Sequence, residues 1–384
     1  MEPKSSSHRL FCRVIAVALF SLPCFVAAQT SAARPSATQP VGPGNVVVST
    51  KFGGQIFGFD VDQNGTEGIL ADVRLFNNGD VLSAVETFDL KTGKILNVLS
   101  KETNGDNDIV IGIVGTSTAI TEREIVGANQ FVDWRPYLLV NPLDANQFTA
   151  QWKPPQFDKN DIVIGVSRNQ GNPIAAFLVQ DNIYPGFNNF VFGTDVALNT
   201  FGPEIVMTDP NFEPYLYPAF ALDTKTNTAV LAQDAGCQYC TPDIGMVNLT
   251  TGEFSQFTGF GQGTVNGLAV DSEDGTACTT TAMDGNVQFY DLKTQTGFTV
   301  FLPGASGRLQ SGADVEFDPI HKLFLVGQPV SSTGQGSSIQ VYDYKGNFVE
   351  SVNGLSSPFT YIALLPKLRG GFVNSTPGLR SFTY

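Results

Sequence analysis

The segment Asn266-Gly267-Leu268-Ala269-Val270-Asp271-Ser272-Glu273-Asp274-Gly275, followed by Val287-Gln288-Phe289-Tyr290-Asp291, decides the fold. An apolar run closes on Asp, a polar turn ends in Gly, and a later run alternates apolar and polar residues with period two. That order is the mark of short antiparallel strands joined by tight turns. The same order recurs along the chain. Ala219-Phe220-Ala221-Leu222-Asp223, Asp314-Val315-Glu316-Phe317-Asp318 and Tyr361-Ile362-Ala363-Leu364-Leu365 each open a comparable unit. Their closing positions, 223, 271, 318 and 365, are 48, 47 and 47 residues apart. A constant period of this length signals repeat architecture.

Each unit holds room for four strands. In the third, Leu323-Phe324-Leu325-Val326 follows the turn Pro319-Ile320-His321-Lys322, and Ile339-Gln340-Val341-Tyr342-Asp343 follows in turn. Four-stranded meanders of about this length are propeller blades. The first half repeats more loosely: Asn107-Asp108-Ile109-Val110-Ile111-Gly112 returns as Asn160-Asp161-Ile162-Val163-Ile164-Gly165, 53 residues later. The 340 residues from Asn45 to Tyr384 divide into close to seven units of 48. Six, one with an insertion between residues 150 and 200, is the alternative. The expected fold is therefore an all-β propeller spanning residues 45–384. N- and C-terminal strands should share its last blade, because an open ring would leave raw strand edges.

The segments quoted from residues 215–365 resemble repeats of the NHL type and of the senescence-marker-protein-30/gluconolactonase propellers. The basic residue usual before the third strand of an NHL repeat is absent; Gly285-Asn286-Val287 and Ser337-Ser338-Ile339 stand there. The resemblance implies the fold and leaves function open, since propellers host many unrelated activities.

Composition agrees with the strand reading. Charged residues make up 15% of the chain, against about 25% in ordinary globular proteins. Gly, Asn, Thr and Phe take their place, which suits strands and turns better than helices. Lys4, Arg9 and Arg13, the apolar stretch Val14–Val26 and the small residues up to Ala28 read as a signal peptide cleaved after Ala28. Residues 29–44, rich in Ser, Ala, Pro and Thr, read as a linker. The chain is thus expected to be exported, secreted or periplasmic, with no membrane span. From residue 29 onward it carries 19 basic against 35 acidic residues, net −16. Such a surface repels phosphate backbones and argues against a nucleic-acid partner.

His321 is the one histidine after residue 28. It falls in a turn and reads as a solvated residue, which argues against triads and His-rich metal sites. Two sets of oxygen ligands remain. Asp60-Val61-Asp62-Gln63-Asn64-Gly65 has the alternating spacing of a calcium loop, with Asp60, Asp62 and Asn64 as ligands. Ala71 stands where a full loop needs Glu, with Glu67 or Asp72 as the substitute, and a plain Asn-Gly hairpin turn is the other reading. On the innermost strands, Ala221, Ala269, Glu316 and Ala363 align. Asn266, Asp314 and Glu316 match by location the amide and carboxylates that hold a divalent cation in the lactonase-like propellers, where the metal polarises a carbonyl. The bland reading of these residues is a wet channel mouth. Cys237 and Cys240 read as a local disulfide that leaves Cys278 free, and a bridge to Cys278 is the alternative.

Three functions follow. The first is a monomeric, non-enzymatic module binding a small molecule, glycan or protein. The second is a metal-dependent, lactonase-like hydrolase working at the central channel. The third is an adhesion-type propeller stabilised by calcium.

Overall fold

The computed structural model describes residues 45–63, 66–77, 81–103, 107–114, 118–126, 132–140, 161–167, 173–181, 188–195, 200–206, 219–232, 241–263, 265–281, 286–302, 314–328, 337–355, 361–375 and 378–384. The expected leader and linker, Asn64, Cys237 and Cys240 lie outside them.

The chain is a β-propeller. Among the described residues its strands form seven sheets, meanders in chain order except that the closing one adds the N-terminal strand. The fourth blade comprises Phe220–Asp223, Thr228–Ala232, Asp243–Asn248 and Phe254–Thr258; the fifth Val265–Asp271, Thr276–Thr281, Asn286–Asp291 and Thr296–Phe301; the sixth Val315–Asp318, Leu323–Gln328, Ser337–Asp343 and Phe348–Leu355. The first blade runs from Gln55–Val61 through Glu67–Leu75 and Val81–Asp89 to Ile95–Thr103. The third follows a four-stranded path from Asp161–Val166 to Thr200–Phe201, with Ile205–Val206 added on. The closing blade joins Ile362–Leu365, Gly370–Ser375 and Gly378–Thr383 to the N-terminal strand Val47–Val48. The sheet between the first and third blades has three strands, Asn107–Val114, Thr118–Val126 and Val132–Val140. Among the described residues, four-stranded blades therefore number six, the alternative to seven equal units. Inner strands of the first two sheets meet, as do those from the third blade to the closing one, while the last strand of the second sheet meets the first of the third, and the closing blade returns to the first. Apart from one 3-10 turn at Pro366–Leu368, the described residues hold no helix, and none long and apolar enough to cross a membrane.

Period-two alternation builds the core. Odd and even residues of a blade face opposite neighbours, so each apolar layer lies between two blades. Phe59, Val61, Leu70 and Phe88 of the first blade pack against Ala363, Leu365, Phe372 and Leu379 of the closing blade. There Phe88 meets Phe372 edge to face. Cys278, Val287 and Phe289 pack on Val315, Phe324, Val326 and Tyr342 between the fifth and sixth blades. Each such side chain taken from water contributes about 1.5–3 kcal/mol.

The closing Asp of each repeat shapes its own turn. Asp223 accepts the Lys225 N–H, Asp271 that of Glu273, and Asp318 those of Ile320 and His321. A second Asx series runs one hairpin further on. Asp89, Asn248, Asp291 and Asp343 accept the N–H groups of Thr92, Thr250, Lys293 and Lys345. A side-chain oxygen that satisfies turn N–H groups fixes hairpin length and thereby strand register.

Candidate functional site

The innermost strands place the candidate residues. Closing positions 62, 223, 271, 318 and 365 are equivalent by pairing: Asp62 N–H bonds Glu67 O, and Asp223, Asp271, Asp318 and Leu365 pair with Thr228, Thr276, Leu323 and Gly370. Two residues earlier stand Asp60, Ala221, Ala269, Glu316 and Ala363. Asp60 therefore aligns with Glu316 near the end of the strand Gln55–Val61, and Asp62 follows that strand.

Asp60 is buried and its oxygens are engaged. Oδ1 accepts the Val61 N–H at 2.7 Å, and Oδ2 accepts the Ile113 N–H of the next sheet at 2.7 Å. Asp62 is buried as well. Asp314 does for the sixth blade what Asp60 does for the first. Its Oδ1 accepts the Val315 N–H and its Oδ2 the Ile362 N–H of the closing blade, each at 3.0 Å. Both carboxylates are clamps between neighbouring inner strands, a role their sequence contexts do not announce. Glu316 is half-buried. Among the described residues, no group of three or more His, Cys, Asp and Glu side chains is arranged to hold a metal ion.

Asn266 sits differently. Val265 pairs with Thr281 and Gly267 with Thr280, so Asn266 is the extra residue of a β-bulge, and its side chain is exposed. The first blade is bulged at the same level: Ile56 pairs with Asp72 and Phe59 with Leu70, leaving Phe57-Gly58 across from one residue. Gly58 takes a φ of 87° and Phe57 is 40% exposed. Bulges re-aim side chains and gather near functional sites. Here both lie on innermost strands and carry exposed side chains.

No family model matches the chain, and no curated protein matches it. The solved structures do contain this fold. One chain, from the "Crystal Structure of Mitotic Checkpoint Complex", superposes with a TM-score of 0.59 at 12% identity, covering 98% of this chain and 99% of that one. At that identity the likeness is one of fold.

His321 departs from its expected role as a free turn residue. Its Nδ1 lies 2.7 Å from Asp318 Oδ2. Asp318 has no exposed surface and also accepts the Tyr384 hydroxyl at 2.6 Å. Cys278 is a free, buried thiol, and burial pushes its pKa well above the usual range. Asn248 and Asn374, each in an Asn-x-Ser/Thr sequence, spend their amide oxygens on backbone N–H groups.

Of two buried carboxylates in the first blade, Glu86 was missed by sequence reasoning and Asp72 was read only as a stand-in calcium ligand. Asp72 and Glu86 lie within apolar strands and have no exposed surface. The signal for Glu86 was an acidic residue in phase with Leu82, Ala84 and Phe88 of Val81–Asp89.

Proposed function

We propose that this chain is an exported, non-catalytic binding protein that takes a ligand or a segment of a partner protein at the mouth of its channel. The paired bulges carry this reading. At one level of the ring, two inner strands break register and offer solvent an aromatic ring, Phe57, and an amide, Asn266. An apolar surface with a few convergent polar groups is what a ligand pocket needs. The acidic oxygens nearby favour binding over hydrolysis, because Asp60 and Asp314 already satisfy backbone N–H groups of adjacent blades. A structural neighbour solved within a protein complex supports a protein as partner. The NHL and gluconolactonase likeness contributes the blade pattern and no activity.

The test is a thermal-shift survey of oligosaccharides, short peptides and divalent cations on the protein and on Phe57→Ala and Asn266→Ala. A shift that both variants lose supports the reading. Lactone hydrolysis in the presence of Ca2+, Mn2+ or Zn2+, abolished by Glu316→Gln, would replace it with the hydrolase.

A further inference from the structure

The ring closes through a short piece of chain. The closing strand pairs Val47 with Arg380 and Val48 with Leu379, and Val46 bonds Ser381 through its carbonyl and its N–H. From there residues 49–54 pass as a strap to the first inner strand, Gln55–Val61. Two carboxylates hold the strap. Asp72 accepts the Phe52 N–H at Oδ2 and the Gly54 N–H at Oδ1, both at 2.8 Å. Glu86 Oε2 accepts the Lys51 N–H at 3.1 Å. Arg74 adds a bond from Nη1 to the Phe52 carbonyl at 2.9 Å.

Glu86 is out of place as a charged group. It has no exposed surface, and its Oε1 has no hydrogen-bond partner. The neighbouring strap residue Thr50 likewise leaves its buried Oγ1 unmatched. Leu70 pairs with Glu86, and Asp72 with Ala84, so the two carboxylates share one face of the first blade. That face meets Phe372 and Leu379 of the closing blade.

The charges around Glu86 can be taken element by element. Asp72 supplies the negative neighbour on the adjacent strand. The strap brings Lys51. The outermost strand brings Lys101, which pairs with Ala84 and whose Nζ lies 5.0 Å from the centre of the Phe52 ring. Arg74 stands beyond Asp72. From the closing blade come Val46, Val48, Phe372, Leu379 and Ser381. Arg380, between Leu379 and Ser381, points to the other side of its sheet by strand alternation.

We propose that Glu86 is a proton latch on ring closure: its neutral carboxyl seats the strap 49–54 against the first blade, and its ionisation loosens the strap and the closing strand with it. The proton passes to solvent and only the O–H bond breaks. A neutral carboxyl keeps Oε2 as an acceptor and turns one oxygen into a donor. A carboxylate leaves a charge in an apolar interface beside Asp72. Burial pushes the Glu86 pKa up to about 7; the Asp72 charge adds to the rise, while the Lys51 N–H and ammonium oppose it. The latch therefore works near neutral pH.

Amide hydrogen exchange over pH 5–8.5, corrected for the intrinsic rate, tests this. Protection of Lys51, Phe52 and Gly54 should fall by roughly a hundredfold as pH rises, with a midpoint near the Glu86 pKa. In Glu86→Gln protection should not vary with pH. Constant protection in the native chain, or an equal fall in Glu86→Gln, overturns the proposal. Should that variant fail to fold, Lys51→Met decides, since the Lys51 side chain is exposed. Losing the cation must move the midpoint to higher pH, and an unmoved midpoint refutes the latch.

Discussion

The Tyr384 hydroxyl donates to Asp318 Oδ2 at 2.6 Å, tying the closing blade to the turn of the sixth. Equivalent ties recur at neighbouring junctions: Lys322 Nζ lies 3.1 Å from Asp271 Oδ1, and the Thr224 N–H bonds Ser272 Oγ at 2.9 Å. Burial raises the Tyr384 pKa far above the usual phenol range, and the Asp318 charge raises it further, so the hydroxyl stays a donor at any workable pH. Tyr384→Phe should cost about 1.5–3 kcal/mol, the worth of a hydrogen bond to a buried charged group. Urea unfolding checks this: the midpoint should drop while the denaturant slope stays fixed.

The clamp at Asp314 should prove structural. Asp314→Ala strands the Ile362 N–H beneath the closing blade and should cost about 1–3 kcal/mol. Asp314→Asn keeps one acceptor oxygen and should cost less. If Asp314 served only as a metal ligand, neither variant would lower stability in chelator. Melting in chelator separates the two roles.

The second half of the fold was legible because its blades end their inner strands on an Asp that caps the following turn, as Asp223, Asp271 and Asp318 do. The first half hid its period. Register shifts at Ile56–Phe59 and at Val110–Gly112, strands of nine residues and one three-stranded sheet all stretch the spacing. The turn series through Asp89, Asn248, Asp291 and Asp343 was nonetheless readable, and it would have anchored the first blade. Asn266 and Glu316 were found because they interrupt a pattern. Asp60 was seen as an oxygen ligand, and its bond to the Ile113 N–H of the next sheet was not legible because it depends on the neighbouring blade. Glu86 was not seen, although it stands in phase with Leu82, Ala84 and Phe88, because the strap that its carboxyl holds is not visible in the strand pattern.

Two glycines should differ in what they cost to replace. Gly378 adopts a φ of 120°, and a Cβ there would run into the Val48 carbonyl oxygen. Gly378→Ala must push away the two-residue closing strand and should destabilise by more than about 2 kcal/mol. Gly252, with a φ of 76° and open space around it, pays only the left-handed backbone cost of about 1 kcal/mol. Paired melting curves of the two variants test the contrast, and equal losses would mean that the closing strand is not held at Gly378.

Cys278 should be chemically silent in the folded chain. It has no exposed surface, and burial keeps its thiol protonated, while alkylation needs an accessible thiolate. Iodoacetamide at pH 8 followed by peptide mass analysis should leave Cys278 unmodified until urea is added. Modification of the native protein at the rate of a free thiol would contradict its buried placement.

Glu86 also sets a stability trend opposite in sign to that of most carboxylates. Its folded pKa is raised from 4.5 to about 7. Between those values the folded chain retains a proton that the unfolded chain has released. Stability must then fall as pH rises through that window and level off above it, by up to about 3 kcal/mol. Asp89 works the other way: the Thr92 hydroxyl holds its pKa below the ordinary value, so its small contribution is lost on acidification. Because such groups overlap, the quantity to measure is the difference in unfolding free energy between the native chain and Glu86→Gln. That difference should move in favour of the Gln variant from pH 5 to pH 7.5 and then hold steady. A difference independent of pH would show that the Glu86 carboxyl does not titrate in this window.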